Sequence, residues 1–205
     1  AISPGDLGMT NTKGNDNPPV LDNRDSAVTR SLLLDWYLQF SQLRDLNVRV
    51  GQYKVPYSRD RVISSGNLQF VDRTILNAEF NVDRDIGVDI RSKDLFGLGK
   101  KLRYYLGVYN GEGHSYAGQD DFGLMYIARA EVLPFGEFDD YSQSDLDRVS
   151  KPGLSLGAAY ARVQNAKGNR AILGKRPADG GTTDYDNLTV DATFKLKGYS
   201  LELAY

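Results

Sequence analysis

The chain has 205 residues, a length suited to one domain, and its 21 Gly, 13 Tyr and 8 Phe fit an all-β protein with many turns. It has no Cys, which excludes a disulfide framework and a thiolate metal site, and its net charge of −2 leaves no electrostatic footprint for nucleic acid. Mean hydropathy is −0.45 and no run approaches the roughly 18 to 20 apolar residues of a transmembrane helix, which excludes a helical membrane protein but not a barrel of alternating strands.

Residues 1–30, rich in Gly, Asn, Asp and Pro, read as a surface loop. They show neither the basic nor the apolar region of a signal peptide, so either a signal has been removed or the N-terminus was never included. From Ser31 onward Leu32, Leu34, Trp36, Leu38 and Phe40 share one face, and Asp35, Tyr37 and Gln39 the other, which is a strand of bilayer-crossing length. Arg44-Asp45 turns the chain into a strand over 47–55. There Val48 and Val50 alternate with Asn47 and Arg49, whereas beyond Gly51 the apolar set becomes Tyr53 and Val55. A Gly at such a change of phase predicts a β-bulge. Pro56 ends the pairing, since it has no N–H to donate.

Residues 56–85 form a connection too long for an ordinary turn, and Leu68, Phe70, Val71, Ile75, Leu76 and Phe80 within it predict that it packs against something. Further strands follow: Ile86–Ile90, Leu102–Val108, Phe122–Val132, Leu154–Tyr160, Leu188–Leu196 and Tyr199–Tyr205. Pro134–Pro152 reads as an acidic connection and Gln164–Tyr185 as a polar loop.

The central stretch carries a resemblance. Gly51-Gln52-Tyr53, Pro56-Tyr57-Ser58, Ser64-Ser65, Phe70-Val71-Asp72-Arg73, Asn77-Ala78 and Arg84-Asp85-Ile86-Gly87 resemble the phosphate-selective porin O and P family, closely over about residues 46–90. The family pattern has Phe at Tyr53 and Tyr57, Gly at Ser58 and Glu-Arg at Asp72-Arg73. The resemblance implies an antiparallel transmembrane β-barrel in the outer membrane of a Gram-negative bacterium. It would be a homotrimer among outer-membrane lipid and lipopolysaccharide, passing small anions such as phosphate without a cofactor. Family members are about twice this long. Eight strands joined by alternately short and long connections would also start and finish on the outer side, whereas a whole barrel starts and finishes in the periplasm. The chain, residues 1–205, therefore reads as one domain, an internal portion covering about half of a roughly 16-stranded barrel, with 56–85 the pore constriction. A complete eight-stranded barrel ending on Tyr205 is the rival expectation.

Catalysis finds little support. His114, the single His, sits between Gly113 and Ser115 in an expected loop and reads as a solvated side chain. Asp120-Asp121 and the run Glu137, Asp139, Asp140, Asp145 and Asp147 lack the Gly and terminal Glu of a calcium loop and read as solvated acidic turns rather than a metal site. Gly97-Leu98-Gly99 and Gly111-Glu112-Gly113 are too short for phosphate-binding fingerprints.

The polar strand face is more informative. Arg49, Lys54, Arg91, Lys93, Lys101, Arg103, Arg129, Lys195 and Lys197 would face the lumen together with Asp35, Asp89, Glu131, Asp191 and Glu202. Charge on a lipid face at mid-depth costs about 2 to 4 kcal/mol, so charges belong on the watery side. A solvated face pairing its own charges accounts for most of them; a basic excess would favour anions. In the long loop, Arg59, Arg61, Arg73 and Arg84 are candidates for an anion-binding constriction, because a planar guanidinium fork suits phosphate. Arg73 and Arg84 stand at matching motif positions. Asp60, Asp72, Glu79, Asp83 and Asp85 accompany them, so Arg–Asp contacts that hold the loop together are an equal expectation. The alternative from another class is a soluble β-sandwich binding or adhesin-like module, but these runs exceed the roughly 5 to 6 residues of sandwich strands. Trp36, Phe40, Tyr109, Phe122 and Tyr199, near strand ends, would fit interfacial girdles.

Overall fold

The computed structural model describes residues 34–113, 123–173 and 178–205. Eight strands, β1 (Trp36–Phe40), β2 (Asn47–Lys54), β3 (Arg84–Ser92), β4 (Leu102–Tyr109), β5 (Met125–Val132), β6 (Gly153–Ala166), β7 (Thr183–Leu196) and β8 (Tyr199–Ala204), form one antiparallel sheet in sequence order. Among the described residues there is one sheet and not two packed ones, which sets the sandwich aside. No helix among them is long and apolar enough to cross a membrane.

Side chains of a strand alternate between faces, so the register decides which residues share a row. Phe40, Val48, Ile90, Leu106, Ala128, Tyr160 and Leu188 stand side by side across seven strands. That row and its neighbours leave Leu38, Val50, Val88, Leu156, Val190, Leu201 and Leu203 exposed on a continuous apolar face. The opposite face, called inner here, holds the row Arg103, Glu131, Gly157 and Asp191 on β4 to β7. An apolar outer surface backed by a charged inner one is the pattern of strands with lipid on one side and a polar interior on the other.

Two connections fold onto the inner face. The residue 55–83 loop leaves β2 at one end of the sheet and contains two short helices, α1 (Arg59–Val62) and α2 (Ile75–Phe80). Ser58 caps α1 by accepting from the Arg61 N–H at 3.5 Å, and Thr74 caps α2 by accepting from Asn77 at 3.3 Å. Thr74 Oγ1 in turn donates to Asp60 at 2.8 Å, which ties the two helices together. The β5–β6 connection enters from the other end of the strands. The two meet where the Gln143 N–H donates to the Asn67 carbonyl at 2.9 Å.

Several expectations change. Gly51 is not a bulge: it pairs with Tyr37 and Gly87 in an unbroken ladder. Arg49 and Tyr53 share the inner face, the guanidinium lying 5.2 Å from the ring centroid. The hydrophobic phase changes because the inner face itself turns apolar where the loop covers it. Tyr53, Val55, Tyr57, Val82, Tyr109 and Met125 form a buried cluster there. Tyr109 belongs to that cluster and not to an interfacial girdle, whereas Trp36, Phe40 and Tyr199 are exposed as expected. The loop is anchored through Val55, Tyr57, Ile63 and Val82, while Phe70, Val71, Ile75 and Phe80 stay exposed. The β5–β6 connection is a solvated acidic turn only in part: Glu137, Asp139 and Asp147 are exposed, whereas Asp140 and Asp145 are buried. Strands β6 and β7 run further into the polar segment than alternation alone indicated, to Ala166 and from Thr183. His114, Asp120, Asp121, Phe122 and residues 1–33 lie outside the described residues.

Gly51 has φ +140, and a Cβ there would lie 2.3 Å from the Trp36 carbonyl oxygen. Gly51→Ala is expected to cost about 1 to 3 kcal/mol, read as a lower denaturant midpoint for the refolded protein. An unchanged midpoint would contradict the close β1–β2 approach.

Candidate functional site

The cross-strand row on β4 to β7 becomes a site because Arg59, on α1, is lowered onto it. Its Nε donates to Asp191 Oδ1 at 2.5 Å, its Nη1 to Asp140 Oδ2 at 2.6 Å and its Nη2 to Ser155 Oγ at 2.8 Å. Arg129 Nη1 lies 2.7 Å from Asp191, and its Nε donates to Glu131 at 2.9 Å. Arg129 Nη1 also donates to the Tyr57 carbonyl at 2.9 Å, so the wall grips the loop backbone as well. Arg103 Nη1 donates to both Asp140 oxygens at 3.0 Å, and the Tyr141 hydroxyl donates to Glu131 at 2.5 Å. Three guanidiniums thus meet three carboxylates, and all six residues are buried. Buried ions repay their desolvation only when each finds close partners, and these do. Gly157 is required within the row: a Cβ there would sit 2.5 Å from Arg129 Nη2 and 2.7 Å from Asp191 Oδ1.

The other loop arginines are also engaged. Arg61 pairs with Asp83 at 2.5 Å, and Arg84 pairs with Asp35 at 3.0 Å. Arg73 donates to the Asp60 carbonyl at 3.1 Å and the Ile63 carbonyl at 2.6 Å. The four candidates are therefore not gathered into one cradle. Arg59 joins the buried row, and the others brace the loop.

A cavity of about 670 Å³ lies between the loop, the β5–β6 connection and the inner face of β1 to β4. Six basic side chains line it (Arg49, Lys54, Arg84, Arg91, Lys93 and Arg103) against four acidic ones (Asp35, Glu137, Asp139 and Asp140). Arg91 is paired with Asp89. Arg49 instead donates to the neutral Gln39 at 2.6 Å and lies 4.1 Å from the Tyr37 ring centroid. Lys54 Nζ donates to the Ile63 carbonyl at 3.2 Å. Among the described residues, Arg49, Lys54 and Lys93 have no ion-pair partner, and the buried Arg103 Nε has no hydrogen-bond partner. Of the predicted lumen cations, Arg49, Lys54, Arg91, Lys93 and Arg103 thus come together, while Arg129 is sealed in the row. Among the described residues no three His, Asp or Glu side chains are placed to hold a metal ion.

Sequence reasoning missed Asp140, Tyr141 and Ser155 as partners of Arg59. Gly157 was the available signal, a side-chain-free position between Ser155 and Ala159 on the same face.

A sheet with an apolar outer face, a charged inner face and a loop folded inward over a polar cavity has the build of an outer-membrane barrel wall. The family model for the phosphate-selective porins O and P matches residues 11–139, and the chain belongs to that family. No curated relative and no solved structure matches the chain. Family membership supports a phosphate-selective porin and implies a protein of the Gram-negative outer membrane.

Arg59→Met is expected to leave the carboxylates short of a partner and cost about 3 to 5 kcal/mol in a denaturant titration of the folded protein. A wild-type midpoint would refute the clasp. Burial alone would raise the Asp140 carboxyl, but the Arg103 and Arg59 guanidiniums hold it below its ordinary value of 3.8. Its contribution is therefore complete above pH 3.8 and is lost as pH falls below that value through the folded pKa. Asp140→Asn should flatten that acid limb of the stability profile; an unaltered limb would assign it to other groups.

Proposed function

We propose that this protein is a passive, non-enzymatic outer-membrane porin, and that its preference for small anions is set by the cations of the β1–β4 wall. The observation that carries the reading is the cavity with Arg49, Lys54 and Lys93 free of carboxylate partners and Arg103 Nε unsatisfied. Unpaired cations attract phosphate-like oxyanions, whereas the neutral Arg59 row contributes structure. The 55–83 loop and the β5–β6 connection are the constriction.

The barrel itself follows the same reading. An open sheet edge cannot stand in hydrocarbon, so β1 and β8 must be paired. Closing them on each other would give an interior just wide enough for side chains, too narrow for a helical loop and a second connection. A wall of about 16 strands, of which these residues supply about half, accommodates both. The homotrimer and the lipopolysaccharide surroundings implied by the resemblance belong to this proposal.

The test is the zero-current potential of the full-length porin in a planar bilayer under a salt gradient. Wild-type protein should be anion-selective. Lys93→Gln and Arg49→Gln should each lower the anion-to-cation permeability ratio more than Arg61→Gln, whose charge is balanced by Asp83. A cation-selective wild type would overturn the anion reading.

A further inference from the structure

Gln39, Arg49 and Asp89 stand side by side in one row across β1, β2 and β3. Arg49 therefore faces a carboxylate across the β2–β3 ladder, yet the two do not pair. Asp89 is taken up elsewhere: its Oδ1 accepts from Arg91 Nε at 2.6 Å, and its Oδ2 accepts from Arg91 Nη2 and, at 2.9 Å, from the Tyr109 hydroxyl. Arg49 turns the other way. Its Nε and Nη2 both donate to Gln39 Oε1, at 3.0 and 2.6 Å. Gln39 Nε2 donates in turn to Ser41 Oγ at 2.7 Å, which fixes the amide with its oxygen toward Arg49. The guanidinium carbon lies 4.1 Å from the Tyr37 ring centroid. Arg91 supplies the contrast. Both arginines lie near the Tyr53 ring, at 5.2 and 5.5 Å, and both line the same cavity, but Arg91 rests on a carboxylate and Arg49 on an amide.

Resting on the anion-porin reading above, we propose that Tyr37 and Gln39 are positioning residues, which present Arg49 to a phosphate-like oxyanion with its charge uncompensated. A guanidinium carries five donors in one planar fork, and an oxyanion engages two neighbouring ones. Gln39 occupies the Nε–Nη2 edge and Tyr37 one face; among the described residues Arg49 makes no other hydrogen bond, so its Nη1 donors are left for solute. An amide dipole and a ring quadrupole fix the cation without cancelling it. A carboxylate in place of the Gln39 amide would form the two-pronged pair seen between Arg91 and Asp89, which competes directly with solute. Holding the side chain in place beforehand also removes an ordering cost that binding would otherwise carry.

The test uses the full-length porin in planar bilayers, with inorganic phosphate added to chloride solutions and its half-blocking concentration read from the chloride current. Tyr37 and Gln39 are both exposed, so substitutions there should leave folding intact, which heat-modifiable migration checks. Tyr37→Leu and Gln39→Leu should each raise the half-blocking concentration about two- to five-fold. Tyr37→Phe, which keeps the ring, should restore the wild-type value. Neither Leu variant alters the charge, so the anion-to-cation permeability ratio in potassium chloride should change less than in Arg49→Gln. Folded Tyr37→Leu and Gln39→Leu channels blocked as readily as wild type overturn the proposal. So does Tyr37→Phe blocked as weakly as Tyr37→Leu. The wild-type recordings separate the two levels: channels that are cation-selective, or that phosphate does not block, defeat the anion reading, whereas phosphate-blocked wild type with indifferent Leu variants defeats the positioning alone.

Discussion

The Arg59 guanidinium ties together pieces of chain that arrive from opposite ends of the strands. It comes in on the loop after β2 and closes on Asp191 of β7, Ser155 of β6 and Asp140 of the β5–β6 connection. Removing it would leave Asp191 and Asp140 buried with fewer partners, and would take from the loop its direct ties to β6, β7 and the β5–β6 connection through that side chain. Arginine suits this position because its fork offers several fixed donor directions, which a lysine ammonium does not. The arrangement is also electrically balanced, three guanidiniums against three carboxylates.

That balance separates two tasks that one set of basic residues could have shared. The β4–β7 side of the inner face holds the 55–83 loop and the β5–β6 connection, with Arg103, Arg129 and Arg59 against Glu131, Asp140 and Asp191. The β1–β4 side keeps cations whose neighbours are rings, amides and carbonyls: Arg49 on Tyr37 and Gln39, and Lys54 on the loop backbone. Arg103 belongs to both, paired through Nη1 with Asp140 and lining the cavity, its buried Nε without a hydrogen-bond partner.

The strands were legible because lipid and lumen impose a period of two, and the row from Phe40 to Leu188 obeys it without a break. The loop motif was legible through family resemblance, and the family match covers residues 11–139. The partnership of Arg59 was not. It depends on the register between β4 and β7 and on a connection some eighty positions away, and neither leaves a mark near Arg59 in sequence. The change of phase at Gly51 was visible but misleading. Alternation reports the polarity of what faces each side chain, and at Tyr53 that neighbour is the loop instead of solvent. The acidic run after Pro134 misled in the same way, since Asp140 is charged because it meets Arg59 and Arg103, not water.

Because these 205 residues contain no Cys, the meeting of the two connections can be tested directly by a disulfide. Gln143 N–H and the Asn67 carbonyl are 2.9 Å apart, which brings the two backbones within the Cα separation of about 4.4 to 6.8 Å that a disulfide needs. Asn67→Cys and Gln143→Cys, introduced together into the full-length porin, should form a disulfide under mild oxidation in intact outer membranes. The product would be a single-chain species of altered mobility that reverts with reductant. Failure of the folded pair to oxidise, with both thiols readily labelled from the aqueous phase, would mean that the loop and the β5–β6 connection do not meet, and the clasp at Arg59 would fall with it.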